Sequence, residues 1–197
     1  MIKKATEFAR EVFAQDASGH DFDHTMRVYR MAVRIAEEEG ADVETVALAA
    51  LLHDADDRKL SPETYEKKDR AVGFLRDNGI DEEKISTIVG IISQISFSAG
   101  NGCPDTLEGC CVQDADRLDA LGAIGIARTF AFGGSRGRRM HDPAWVDKGS
   151  SIQHFYDKLL LLRDRMTTET GRKLAAERDA FMRTFLDQFY AEWDGIR

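Results

Sequence analysis

Apolar residues recur at three- and four-residue intervals along most of the chain, and strict apolar/polar alternation over more than a few positions is hard to find. That period belongs to helices with one buried face, so the chain reads as all-α. The pattern predicts about eight helices, over 2–15, 21–39, 42–55, 62–78, 82–97, 106–132, 150–165 and 169–193. Only three prolines interrupt the sequence, Pro62, Pro104 and Pro143, and the stretches between them are rich in good helix formers. Ser61-Pro62 reads as an N-cap followed by proline at the first helical position, and Asp81 and Thr168 read as further caps. Gly40 and Gly79 read as stops for the helices before them. In the last helix Phe181, Phe185, Phe189 and Trp193 fall at i+4 steps, which predicts a core-facing aromatic stripe.

The pattern is broken by polar residues at inward positions. In the second helix Val28, Met31 and Ile35 form one stripe, and His24 stands one turn before them. In the third, the stripe of Val43, Val46, Ala47 and Ala50 runs on into His53 and Asp54. In the sixth, Val112, Ala123 and Ala127 share a face with Asp116. Burying a carboxylate costs several kcal/mol unless something compensates, and a bound cation is the simplest compensation. Histidine with carboxylate favours one divalent first-row metal ion, Mn, Fe, Co or Zn, over Mg.

Length and charge narrow the partners. A chain of 197 residues suits a single domain, here a core of about 15–130 with C-terminal helices over 150–193 packing on it. It carries 27 Lys+Arg against 35 Asp+Glu, a formal net charge of -8, which repels long nucleic acid but leaves small phosphorylated molecules as partners. The longest strictly apolar run, Val46 to Leu52, is far short of a membrane span. The first residues form an amphipathic stretch rather than a signal peptide, so a cytoplasmic location is expected. No pattern speaks to self-association. Three cysteines, Cys103, Cys110 and Cys111, are an odd number without a CxxC pair. They are expected to be small buried hydrophobes in a reducing compartment rather than a disulfide framework or a zinc ribbon.

Three blocks then carry a resemblance. They are His20-Asp21-Phe22-Asp23-His24-Thr25-Met26-Arg27-Val28, Ala49-Ala50-Leu51-Leu52-His53-Asp54 and Gln113-Asp114-Ala115-Asp116-Arg117-Leu118. In order and spacing they resemble the HD-domain metal-dependent phosphohydrolase superfamily, and a bacterial subgroup that includes nucleotide pyrophosphohydrolases. The resemblance implies an all-α bundle with His24, His53, Asp54 and Asp116 as metal ligands. It implies one metal, since apart from His20 only His141 and His154 remain as further histidines, and both of these lie far along the chain. Asp57, four residues after His53, falls where the family often has an acid, some members Glu, and is the candidate base or water-orienting group. His20 is expected beside the ligands, at the pocket rim, or simply at the surface. The His20–His24 spacing alone also fits a zinc peptidase helix, but that chemistry needs Glu after the first histidine, and Asp21 stands there.

Asp114 and Asp116 both invite the role of fourth ligand. Two residues apart on one helix, they differ in direction by about 200°. Asp114 continues the bulky face of Leu107, Cys111, Leu118 and Leu121, whereas Asp116 shares the small-residue face. The Ala-Asp-Arg-Leu match also selects Asp116, which leaves Asp114 to support a ligand histidine through its ring N–H.

Basic side chains would hold the rest of a substrate. Arg27 neighbours His24, Lys59 follows Asp57, and a Gly- and Arg-rich loop offers Arg136, Arg138 and Arg139. His154 and Lys158 lie one turn apart on the seventh helix. The resemblance therefore implies a phosphohydrolase acting on a small phosphorylated metabolite, a nucleotide foremost, with release of pyrophosphate from a nucleoside triphosphate as the subgroup's reaction. The alternatives are a 5′-nucleotidase or cyclic-nucleotide phosphodiesterase and, in another class, a non-hydrolytic nucleotide sensor. An intact ligand set with Asp57 argues against the sensor.

Overall fold

Nine α-helices and no strand make up the described residues of the computed structural model, which are 1–14, 21–57, 62–95, 102–146 and 149–196. The helices are α1 (Ile2–Val12), α2 (Phe22–Glu39), α3 (Val43–Leu52), α4 (Asp69–Asp77) and α5 (Glu82–Ile95). They continue with α6 (Leu107–Asp119), α7 (Gly122–Ser135), α8 (Ser151–Asp157) and α9 (Glu169–Trp193). Two short 3-10 turns, Leu159–Leu161 and Arg163–Arg165, lie between the last two. The chain forms two compact units, Met1–Asp116 and Arg117–Arg197.

In the first unit α3 is the central element, packed against α1, α2 and α5. Every residue from Thr45 to Leu52 is buried. The expected single stripe is thus a helix apolar all round, as a helix enclosed by others must be. Asp42 fixes its start by accepting from the amides of Glu44 and Thr45. The helix ends at Leu52, so His53 and Asp54 sit on the turn beyond it rather than on a stripe. Of the other expected signals, Gly40 closes α2 in the left-handed region (φ 78°) and Asp81 accepts from the Lys84 amide. Ser61 lies outside the described residues.

The expected helix over 62–78 begins only at Asp69. Lys68 takes a left-handed backbone (φ 55°), which a right-handed helix cannot pass through, and its ammonium lies 4.0 Å from the Tyr65 ring centre. The cap of α4 comes from far back in the chain. The buried Asp56 carboxylate accepts from the amides of Arg70 (3.1 Å) and Ala71 (3.0 Å). Asp56→Ala should therefore cost about 1–2 kcal/mol of stability, read as a lowered midpoint of chemical denaturation. An unchanged midpoint would remove Asp56 from the fold's support.

The second unit revises three expectations. The long helix over 106–132 breaks after Asp119, where the amides of Ala120 and Leu121 bond back three residues to the carbonyls of Arg117 and Leu118 in a tight closing turn, and side-chain donors add to the helix end. Arg178 donates to Leu118 O, and Arg128 donates to the Asp119 carboxylate at 2.5 Å. Gly122 then starts α7 at φ 70°, where a Cβ would also stand 3.1 Å from Arg178 Cγ. The helix over 150–165 stops at Asp157, since Lys158 leaves helical geometry (φ -139°, ψ -57°) and the 3-10 turns follow. In α9, capped as expected by Thr168, the buried stripe is Ala175, Asp179, Met182 and Leu186. Phe181 and Trp193 of the expected stripe are exposed, while Phe185 and Phe189 sit half-buried against Phe130. Asp179 is carried into that buried row by ion pairs with Arg163 and Arg183.

Candidate metal centre

His24 is set by the start of its helix. Asp21 is the N-cap of α2, and its carboxylate accepts from the His24 amide at 2.7 Å. That role was not read from the sequence, although an acid three residues before an inward histidine at a helix start was a usable sign. His53 is set by the end of α3. Its Nδ1 donates to the Ala50 carbonyl at 2.8 Å, one of the carbonyls a helix end leaves over. This leaves Nε2 as the atom with a lone pair to offer.

The ring nitrogens meet two carboxylates. Asp54 Oδ2 lies 3.1 Å from His53 Nε2 and 3.6 Å from His24 Nε2, and Asp116 Oδ1 lies 3.5 Å from His24 Nε2. Ligand atoms of His24, His53 and Asp54 all fall within 4.8 Å of one another. Donors sharing one cation through bonds of about 2.1 Å stand roughly 3.0–3.4 Å apart; the His–Asp separations of 3.1–3.6 Å are close to that, and the wider spread within the cluster needs only a small inward shift of a side chain onto a common ion. His53 Nε2 is buried and no hydrogen bond satisfies it, despite the nearby Asp54. Both imidazoles are enclosed, whereas the Asp116 side chain is 35% exposed and that of Asp54 15%, so the cluster opens on its carboxylate side.

The electrostatics call for positive charge. Burial pulls the His53 imidazole down, but the carboxylates of Asp54 and Asp116 outweigh it and push it up to about 9. Two anionic groups converging on enclosed rings are stabilised by a proton or, better, by a divalent ion. The residues present therefore fit the metal expected from the sequence.

The face read from the sequence for Asp116 holds in part: Val112, one turn before it on α6, is buried. Ala123 and Ala127, which were to share its face, lie on α7 and are exposed. Asp114 is fully buried. Asp57 is half-buried, and its amide donates to the Asp54 carbonyl at 3.0 Å, so a tight turn ties it to the cluster. Arg27 is half-buried on α2. His20 and Lys59 lie outside the described residues.

The remaining basic candidates belong to the second unit. Arg136 and Arg138 are exposed and lie over the Phe132 ring, at 5.5 and 5.3 Å, and Arg139 is exposed beside them. Burial, then the charges of Lys158 and Arg138, hold the His154 imidazole below its usual range, so these three groups form one cationic neighbourhood.

The HD domain profile matches residues 21–121 of the chain, the span that holds the whole cluster. The chain belongs to the HD domain family. It is a metal-dependent phosphohydrolase of the HD superfamily, as the three sequence blocks implied. This HD-domain protein is 40% identical to the Bacillus subtilis protein YpgQ over 96% of its own length and 92% of that protein's. A solved HD-superfamily hydrolase from Bacillus thuringiensis shares 40% identity with it, at a TM-score of 0.83 over 98% of this chain and 96% of that one. YpgQ itself has been solved in complex with ADP, and that structure matches at a TM-score of 0.81 with 37% identity, covering 97% of this chain and 94% of that one. Among the described residues no helix is long and apolar enough to cross a membrane.

Proposed function

We propose that this protein hydrolyses a nucleotide at the His24–His53–Asp54–Asp116 cluster, releasing pyrophosphate from a nucleoside triphosphate. The observation that carries this reading is the convergence of two enclosed imidazoles with two solvent-facing carboxylates. The ADP bound by YpgQ supports a nucleotide over other phosphorylated compounds. His24, His53, Asp54 and Asp116 would hold one divalent ion, Mn, Fe, Co or Zn before Mg given the imidazoles. Such an ion supplies Lewis acidity, acidifying water and screening the charge of a phosphoryl group under attack.

The chain's own groups do the rest. The Ala50 carbonyl keeps the His53 ring in the tautomer that presents Nε2. Asp57 takes the proton of the attacking water or orients it, held near by the turn at Asp54. Asp114, fully buried two residues before Asp116, is assigned the support of a ligand histidine rather than ligation. Phosphate binding falls to Arg27 and Lys59 in the first unit and, as a candidate of its own in the second, to Arg136, Arg138, Arg139, His154 and Lys158, with the His154 imidazole held below its usual range and so favoured in the neutral form that both donates and accepts. Replacing Arg136, Arg138 and Arg139 together by Ala should raise KM for a triphosphate about 10-fold and for a monophosphate less. Steady-state kinetics on both decide it, and equal small effects would return the loop to ordinary surface.

The test of the reading is metal-reconstituted protein against a panel of nucleotides, with phosphate and pyrophosphate measured separately. Pyrophosphate from triphosphates is the expected product. Phosphate from monophosphates, opening of cyclic nucleotides, or tight binding without turnover would each replace the proposal.

A further inference from the structure

The three cysteines are not alike. Cys111 is fully buried, and burial above all pushes its thiol up to about 12, so it matches the expected inert hydrophobe. Cys103 is exposed, and Cys110, in the first turns of α6, is half-buried. Their sulfurs stand 3.6 Å apart, in contact.

Hydrogen bonds on both sides of the pair hold this geometry. Gln113 Nε2 donates to the Gly102 carbonyl at 3.1 Å. Asp105 and Gln94 exchange two bonds, Gln94 Nε2 to Asp105 Oδ2 at 2.7 Å and the Asp105 amide to Gln94 Oε1 at 3.0 Å. Thr106 Oγ1 accepts from the Gly109 amide at 3.0 Å, fixing the start of α6. The segment that carries Cys103 is thus tied to the helix that carries Cys110. A sulfur–sulfur bond of about 2.05 Å requires the pair to close by about 1.5 Å, within the reach of side-chain rotation at the exposed Cys103.

We propose that Cys103 and Cys110 form a redox-modification site, a dithiol that hydrogen peroxide converts to a reversible intramolecular disulfide while Cys111 stays reduced. The Cys103 thiolate attacks peroxide, the O–O bond breaks, the sulfur becomes a sulfenic acid, and the departing hydroxide takes up the proton the thiol had released and leaves as water. The Cys110 sulfur then attacks the Cys103 sulfur, the S–O bond breaks, and the hydroxide departs as a second water with the Cys110 proton. Two thiols and one peroxide give one disulfide and two waters, the peroxide accepting the two electrons. The bond forms on the helix that carries Asp116, but the proposal does not rest on the phosphohydrolase reading.

The test cleaves the chain between the two sulfurs. The full-length protein is treated with stoichiometric peroxide, remaining thiols are alkylated under denaturing conditions, and the chain is cut after Glu108. The two flanking peptides should stay joined, lighter by two hydrogens, until a dithiol reductant separates them. Fragment spectra on the unmutated chain should place the bond on Cys110 and the alkyl group on Cys111. The link should survive in C111A and vanish in C103S and C110S, each checked for unchanged helical circular dichroism. Advance of Cys103 to sulfinic acid without a link, a bond to Cys111, or a disulfide between two chains would overturn the proposal.

Discussion

Asp116→Ala is expected to abolish tight binding of a divalent ion, and hydrolysis with it. Asp116 Oδ1 is 3.5 Å from His24 Nε2, and its loss leaves two enclosed imidazoles with Asp54 as the only carboxylate of the set. Asp114→Ala tests the competing choice at a position two residues away. Asp114 is fully buried, and a group that acts by supporting a ligand rather than by ligating costs about 10–100-fold in metal affinity. Metal titration of both variants, after each is shown to be folded, separates the roles. Normal metal binding by Asp116→Ala together with its loss in Asp114→Ala would reverse the assignment.

Asp57→Asn should retain the metal and lower kcat by about 10²–10⁴-fold, the usual contribution of a general acid–base group. The amide keeps the shape of the carboxylate but cannot take a proton. The turn joining Asp57 to Asp54 through its amide is unaffected by the change, so the ligands keep their places. Metal content and kcat measured on one sample decide the point. An unchanged kcat at full metal occupancy would exclude Asp57 from the chemistry.

The contrast between Asp57 and Asp56 shows where sequence reading ends. Both follow the His53-Asp54 pair; the family resemblance singled out Asp57, and nothing local to the sequence gave Asp56 a role. Only the packed chain turns Asp56 inward, to the amides of Arg70 and Ala71 more than a dozen residues on. The same limit governs the helix ends. Gly40, Asp81 and Thr168 were legible because a cap acts on its own helix. The break between α6 and α7 was not, because the groups that line it, Arg178 on Leu118 O and Arg128 on the Asp119 carboxylate, come from beyond the helix.

What the sequence by itself determined was the helical class and a short set of histidines and acids to look for at inward positions. Helical periodicity is a local property, and histidines and acids at inward positions stand out because burying them uncompensated is costly. The tertiary structure decided the directions. It placed His53 and Asp54 on a turn, enclosed α3 on all sides, and moved the alanines thought to flank Asp116 onto another helix. It also sorted the cysteines, burying Cys111 while setting Cys103 and Cys110 in contact. The physical reason is common to all of these: a side chain's exposure and partners depend on elements distant in sequence, whereas periodicity and capping depend on neighbours within a turn.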